Sequence, residues 1–329
     1  IKALGNLLNL ENRFTRALPN DSTGARGAEI LGFSATGGNQ NTSTGDAPGN
    51  GYKYHVFTSP GTLTIQGGSK DIEFLVVGGG GGGGFGNGGG AGAGGLRSND
   101  PNIPGPSGMK VSTTVTLNPG SYAIGVGTGG NSDGTPFAHR LGESSSIGPL
   151  VIASGGGAGG PMPAPDQVNY QDAGSGGGQE APDPPESSRS GVSIDSPDSL
   201  SPDKQGHDGG DANGGGGGGG AGSNGSGSTG GTKLSCPAFS SPIIHPICPM
   251  PSAWQTYVGS GGAYAGGGYG YPGRDSSHND ISWGSVGIQT YAGIVNTGGG
   301  ADSNDAGIKD PNNPVTGGSG IVIIRYQPD

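Results

Sequence analysis

Within the first eighteen residues, Leu4, Leu7, Leu8, Leu10, Phe14 and Leu18 recur at helical spacing, and Pro19 follows them. The stripe predicts one short amphipathic helix within residues 1–19, ended by the proline. A helix of this length is marginal alone in water, so its apolar face asks for attachment to another protein, self-association as a brief coiled segment, or packing on its own chain. From residue 20 to 51 the rhythm dissolves into Gly, Ser, Thr and Asn, which reads as a link. At Tyr52 a period of two begins. Strands are predicted over 52–57, 62–65, 72–77, 111–117, 122–126 and 150–153, punctuated by Ser59-Pro60-Gly61 and Asn118-Pro119-Gly120. Alternation is clearest in Ile72, Phe74 and Val76 and in Val111, Thr113, Val115 and Leu117. The β-branched stretch 321–326 comes only after a long excursion and closes the sheet.

The excursion is written in glycine. Runs lie at 78–84, 86–95, 155–160, 174–178, 209–222, 259–270, 298–300 and 317–320, broken by a few Ala, Ser, Asn or Tyr residues. They lack a strict three-residue period with proline, which excludes collagen. A left-handed extended thread with three residues per turn rises about 3.1 Å per residue, so seven glycines span roughly 22 Å. Such a thread has no internal hydrogen bonds. Its backbone groups have to be satisfied by neighbouring threads, and backbones approach closely only where no Cβ intervenes. Gly78, Gly81, Gly155, Gly216, Gly261, Gly299 and Gly318 are expected to be such points of contact. One run cannot offset the entropy that glycine loses on ordering, whereas many laid side by side can. The predicted fold is therefore mainly β and irregular: a small β-sandwich base carrying a bundle of polyglycine II threads over residues 52–329, with a short N-terminal helix and a link ahead of it.

Composition agrees with a core made of backbone. Glycine supplies 79 of 329 residues and hydrophobic residues only 29 %, where a globular domain has about 45–50 %. Disorder is the competing reading of such a chain, and the strand-like segments stand against it. The net charge of −10 argues against a nucleic-acid groove or an anionic membrane surface. No stretch of about 18 apolar residues predicts a membrane-spanning helix, and no signal-peptide pattern is read. Enzyme signals are weak. Matches to G-x-G-x-x-G are expected by chance here and lack a βαβ setting. His55, His139, His207, His245 and His278 lie in separate segments, and the pairs Asp208/Asp211 and Asp302/Asp305 lack the calcium-loop pattern. The expectation is a non-enzyme with no metal and no cofactor.

Several motifs carry a resemblance. Phe74-Leu75-Val76-Val77 opening into Gly78, later glycine blocks separated by variable loops, and the terminal Gly317-Gly318-Ser319-Gly320-Ile321-Val322-Ile323-Ile324-Arg325-Tyr326 resemble the glycine-rich domains of phage tail-fibre proteins. The polyglycine sandwich of T-even-type tail-fibre adhesins is a related architecture. The likeness covers roughly residues 52–326. It implies a virion-surface, extracellular protein that binds a bacterial receptor, protein or glycan, through loops at one end of the glycine stack, with the N-terminal helix held by other virion proteins. The long Pro, Asp and Ser-rich insert at 179–208 departs from the pattern and keeps a non-adhesive decoration role open.

If consecutive threads alternate in direction and six lie between Ala153 and Ile321, the loops at 161–173, 232–258 and 301–316 fall far from the sheet, and those at 179–208 and 271–296 near it. A fold-back of 209–231 into two threads would swap the later ends. Loop 232–258 is rich in proline-fixed apolar groups: Phe239, Ile243, Ile244, Ile247, Met250, Trp254 and Tyr257. With Tyr170 they are the candidate receptor contacts, since rigid aromatic loops lose little entropy on binding. A local mini-core closing the stack is the plainer use of the same residues. Cys236 and Cys248 would close a loop of about 13 residues if oxidised, worth roughly 3 kcal/mol.

Overall fold

The computed structural model describes residues 32–84, 88–103, 109–131, 141–160, 173–180, 200, 204–212, 215–270, 292–303 and 315–329. The helix expected within 1–19 and Tyr170 lie outside them. Two antiparallel sheets form the base. The first runs in the order β1 (Ser34–Thr36), β3 (Gly61–Gln66), β7 (Gly120–Gly125), β8 (Ser145–Ile147) and β9 (Val151–Ala153). The second runs β2 (Lys53–Phe57), β14 (Ile321–Tyr326), β4 (Lys70–Val77) and β5 (Leu96–Ser98), with β6 (Val115–Leu117) paired to the start of β4. The last strand lies between two early ones: Ile321 faces Val77 and Ile323 faces Leu75 on one side, and Ile323 faces Val56 on the other.

Strand β14 is continuously apolar because both its faces are covered. Val322, Ile324 and Tyr326 join Phe57, Phe74 and Val76 in the core between the sheets, against Leu63, Ile65, Ile124 and Ile147 of the first sheet. Ile321 and Ile323 join Tyr54, Val56, Leu75 and Val77 on the opposite face, beneath residues 234–264. The base therefore has three layers. The third is a compact cap: β12 (Leu234–Ser235) pairs with β13 (Ala263–Tyr264), and between them lie a single 3-10 turn at Pro237–Phe239 and the short helices α1 (Ser241–Ile244) and α2 (Ser252–Val258). The stretch read as a link also contributes structure, because β1 pairs with β3.

The glycine runs form the expected bundle, and its geometry is legible in the hydrogen bonds. From thread 78–84, the N–H groups of Gly78, Gly81 and Gly84 donate to Gly95, Gly92 and Gly89, a step of three on both chains. Gly80 and Gly83 donate to Gly318 and Val315, again a step of three. Neighbours one-third of a turn apart thus serve successive residues, as a threefold screw requires. Thread 88–95 is the centre. It donates to threads 154–160, 215–222 and 298–303 and accepts from 78–84, 173–178 and 265–270, so six threads surround it. Of the glycines in the thread ladders, Gly215, Gly298 and, at the 226–229 turn, Gly227 have positive φ.

Thread directions correct the alternation assumed from sequence. Gly157 and Gly160 donate to Ser175 and Gly178, so 154–160 and 173–178 run parallel; so do 265–270 and 298–303, where Gly300 and Ser303 donate to Gly266 and Tyr269. The glycines after 214 double back twice, not once: Gly217 and Gly220 donate to Gly227 and Ser223, and Gly222 then meets Thr232. Segment 232–258 consequently sits at the sheet end, and β10 (Gln179–Glu180), paired in parallel with β11 (Asp211–Ala212), belongs to the far end. A threefold screw of glycine offers the same backbone contacts in either direction, so composition carries no direction signal.

A Cβ on Gly78, Gly81, Gly155 or Gly318 would lie 2.1, 2.1, 1.7 and 2.1 Å from a neighbouring carbonyl oxygen. Gly216 takes part as the acceptor for Gly90. Gly299 is tight rather than closed, its Cβ position 3.3 Å from the Thr297 and Tyr257 hydroxyls. Gly261 is a correction: it lies in the exposed turn before β13, and a Cβ there meets only the Ser235 hydroxyl at 3.4 Å.

Candidate binding surface

The apolar residues singled out in 232–258 are core. Phe239, Ile244, Ile247, Met250 and Trp254 are buried against the second sheet, and Ile243 and Tyr257 pack on them half-buried. Prolines fix the turns and two short helices carry the large side chains inward, because the second face of the second sheet needs a cover. Polar atoms are satisfied on the way. The Trp254 indole N–H donates to Asn296 O (2.9 Å), the Tyr264 hydroxyl to Phe239 O (2.7 Å), and the Ala238 N–H to the buried Asp100 carboxylate (2.9 Å). Five of the seven are thus turned into the core, and only Ile243 and Tyr257 keep part of their surface open. Cys236 and Cys248 are buried free thiols, not a bridge. Burial pushes both thiols up, Cys248 to about 11 with Asp46 adding to the effect, so neither is a ready nucleophile.

Arg325 ties the cap to the sheet. Its Nε donates to Glu73 at 2.8 Å and its Nη1 to the Tyr54 hydroxyl at 3.1 Å, while the guanidinium lies 4.1 Å over the Tyr52 ring and 5.5 Å from that of Phe239. A groove of about 640 Å³ opens beside it, lined by Tyr52, Lys70, Asp71, Glu73, Asn99 and Arg325 among others. Lys70 is paired with Asp329 and Arg325 with Glu73, and Asp71 accepts the Thr116 hydroxyl.

The opposite end of the molecule is built from thread ends. Gly84, Gly89 and Gly160 are linked in sequence by hydrogen bonds, Gly160 reaches Gly178, and Gly270 reaches Ser228. Gly83 joins Val315, and a Cβ on it would strike Asp302 O, which brings 302 and 315 to the same end. The segments 85–87, 161–172, 271–291 and 304–314 follow these ends in sequence and lie outside the described residues. Among the described residues no three His, Cys, Asp or Glu side chains gather as a metal site would require, and no helix is long and apolar enough to cross a membrane.

Asp302 is a buried titratable group of this end. Its Oδ1 accepts the Tyr269 N–H at 2.8 Å, yet burial dominates and pushes its carboxyl up to about 7. A raised carboxyl keeps its proton in the folded chain between about pH 4 and 7, where the unfolded chain has lost it, so this group costs stability as pH rises through that window. Asp302→Asn should flatten the decline of Tm between pH 4 and 8; an unchanged slope would show that the carboxylate is ionised in the folded state.

A β-sandwich base, an apolar cap closing it, and a stack of polyglycine threads define a protein of the glycine-stack type. The chain belongs to the glycine-rich domain family, whose model matches residues 57–327. No curated protein and no solved structure matches it.

Proposed function

We propose that the chain is a bacteriophage virion fibre or tip protein that binds a host cell-surface receptor, protein or glycan, with the far end of its polyglycine stack. The supporting observation is the difference between the two ends. At the sheet end the apolar surface is consumed by the cap, and the chain enters there: the Phe33 N–H donates to Asp329 Oδ2 at 3.0 Å and its ring meets that of Tyr326 at 4.8 Å. The described residues thus begin at the pole opposite the thread ends, a place suited to attachment to the particle through the apolar stripe read in 1–18. The stack between the poles acts as a stiff spacer. Its backbone ladder lets the far end vary without disturbing a side-chain core, the arrangement on which recognition loops are usually carried. The phage assignment itself rests on the resemblance of the strand-to-glycine and glycine-to-strand motifs at 74–78 and 317–326.

Competition on host cells tests the reading. Purified protein should bind them and block infection, and replacing 304–314 by a Gly-Ser linker of equal length should lower binding at least tenfold while leaving Tm unchanged. Replacing Lys70 by Ala at the sheet end should leave binding intact. If purified protein neither binds cells nor blocks infection, the role is that of a non-adhesive structural or decoration subunit.

A further inference from the structure

The outer edge of β2 is not left open. Residues 37–46 fold over it as a strap: Asp46 and Tyr54 exchange both backbone hydrogen bonds, the Asn39 N–H donates to Val56 O at 2.6 Å, and the Gln40 side chain accepts the Val56 N–H at 2.9 Å. The strap then reaches the cap. The Asn41 N–H donates to Ile247 O at 2.9 Å, its side chain to Pro246 O at 3.2 Å, and the Cys248 thiol points to Asn39 O at 3.6 Å. Sheet edges are commonly covered in this way, since an open edge pairs with other chains.

Beneath the strap lies His55, fully buried. Its Nδ1 sits 2.7 Å from Gly37 O, so it is the protonated nitrogen that donates to the strap. The ring stacks on Tyr326 at 5.9 Å. Its Nε2 has no hydrogen-bond partner among the described residues and faces Gly45, where a Cβ would come within 2.7 Å of it. A second proton therefore goes to Nε2, where no described residue accepts it and the atom is shut off from solvent. The charged groups bearing on the ring are Asp46 of the strap, which favours the imidazolium, and Lys53 of β2, which opposes it; Tyr326 supplies its uncharged ring from β14.

We propose that His55 is an acid-sensitive latch: its protonation lifts strap 37–46 off β2 and the cap, opening the sheet edge while the rest of the base stays folded. Burial lowers the His55 pKa below its ordinary value, so the latch is closed at neutral pH. A lowered histidine contributes stability that is present above the ordinary value near 6.5 and is lost as pH falls towards the folded-state value. The strap carries that loss locally, because lifting it returns the imidazolium to water.

The two cysteines report on the latch. Cys248 is covered by the strap, whereas Cys236 is enclosed within the cap between Asp100 and Tyr264. Labelling of the full chain with a pyridyl disulfide, which reacts with thiols in acid, should accelerate at Cys248 by about tenfold per pH unit as pH falls from about 6.5 towards the folded-state value of His55 and then level off, as expected for opening linked to one proton. Cys236 should stay protected throughout. In His55→Gln, which can still donate to Gly37 O but cannot ionise, the acid acceleration should vanish. If that variant labels fast already at pH 7.5, Asp46→Asn takes its place and should move the midpoint to lower pH. Acceleration that persists in His55→Gln, an unmoved midpoint in Asp46→Asn, or Cys236 opening together with Cys248 would each overturn the proposal.

Discussion

Gly92→Val should prevent the protein from folding, and Gly92→Ala should cost it more than about 4 kcal/mol, a range that ordinary substitutions do not reach. Gly92 sits mid-thread in 88–95, donating to Gly157 and accepting from Gly81. A Cβ there would stand 2.1 Å from Ser175 O and 2.7 Å from Gly176 O. In an oily core an added methyl costs about 1–3 kcal/mol because side chains shift around it. Here the obstacle is backbone that hydrogen-bonds in turn to further threads, so relief at one point breaks ladders elsewhere. The neighbouring alanines show that the effect is positional: Ala91 and Ala93 occupy the same thread, the first packing with Ala301 and Val315, the second joining the core under the cap. Gly261→Ala is the control, since its Cβ finds ordinary van der Waals space and Tm should move by less than about 2 °C. Urea unfolding of the three variants decides the matter. Equal tolerance at 92 and 261 would mean that the threads do not pack as a backbone lattice.

The base and the stack were legible for different reasons. Strands β2, β3, β4, β7 and β14 announce themselves through β-branched and alternating residues between Gly and Pro turns, and the strand at 321–326 is apolar throughout because two layers cover it. The threads follow from composition together with the need to satisfy backbone groups. Other features left no signal. Strand β1, Ser-Ala-Thr, has three residues and one inward side chain, too few for a period to emerge. Helices α1 and α2 have four and seven residues, so proline spacing hid them in what reads as a loop. Thread order was hidden altogether, and with it the end at which 232–258 sits. With that end unknown, the seven apolar residues could be read both as a mini-core closing the stack and as receptor contacts, and their packing against the second sheet gives the former. A cue was nonetheless present: the second sheet's other face, with Tyr54, Val56, Leu75, Val77, Ile321 and Ile323, demanded a cover, and 232–258 is the one insert apolar enough to supply it.

That assignment is itself testable at Trp254. Its side chain is fully buried at the centre of the cap, edge-on to Tyr264 with ring centroids 6.3 Å apart, and its indole N–H holds Asn296 O at the end of thread 298–303. Trp254→Ala should destabilise the protein by about 3–5 kcal/mol, the usual cost of truncating a buried large aromatic, with a further loss because Asn296 O is left without its donor. A receptor contact would behave otherwise: truncation would leave Tm near the wild-type value and weaken binding to host cells. Trp254→Phe separates the two contributions, restoring most of the packing but not the hydrogen bond, and should recover more than half of the lost stability. The cap rests on the face of β14 that carries Ile321 and Ile323, and Tyr54 reaches it through a hydroxyl hydrogen bond to Ala238 O at 3.3 Å. Loosening it should therefore raise amide exchange in β2 and β14 before it reaches thread 78–84. An unchanged Tm in Trp254→Ala together with lost cell binding would restore 232–258 as the recognition surface and place the receptor at the sheet end.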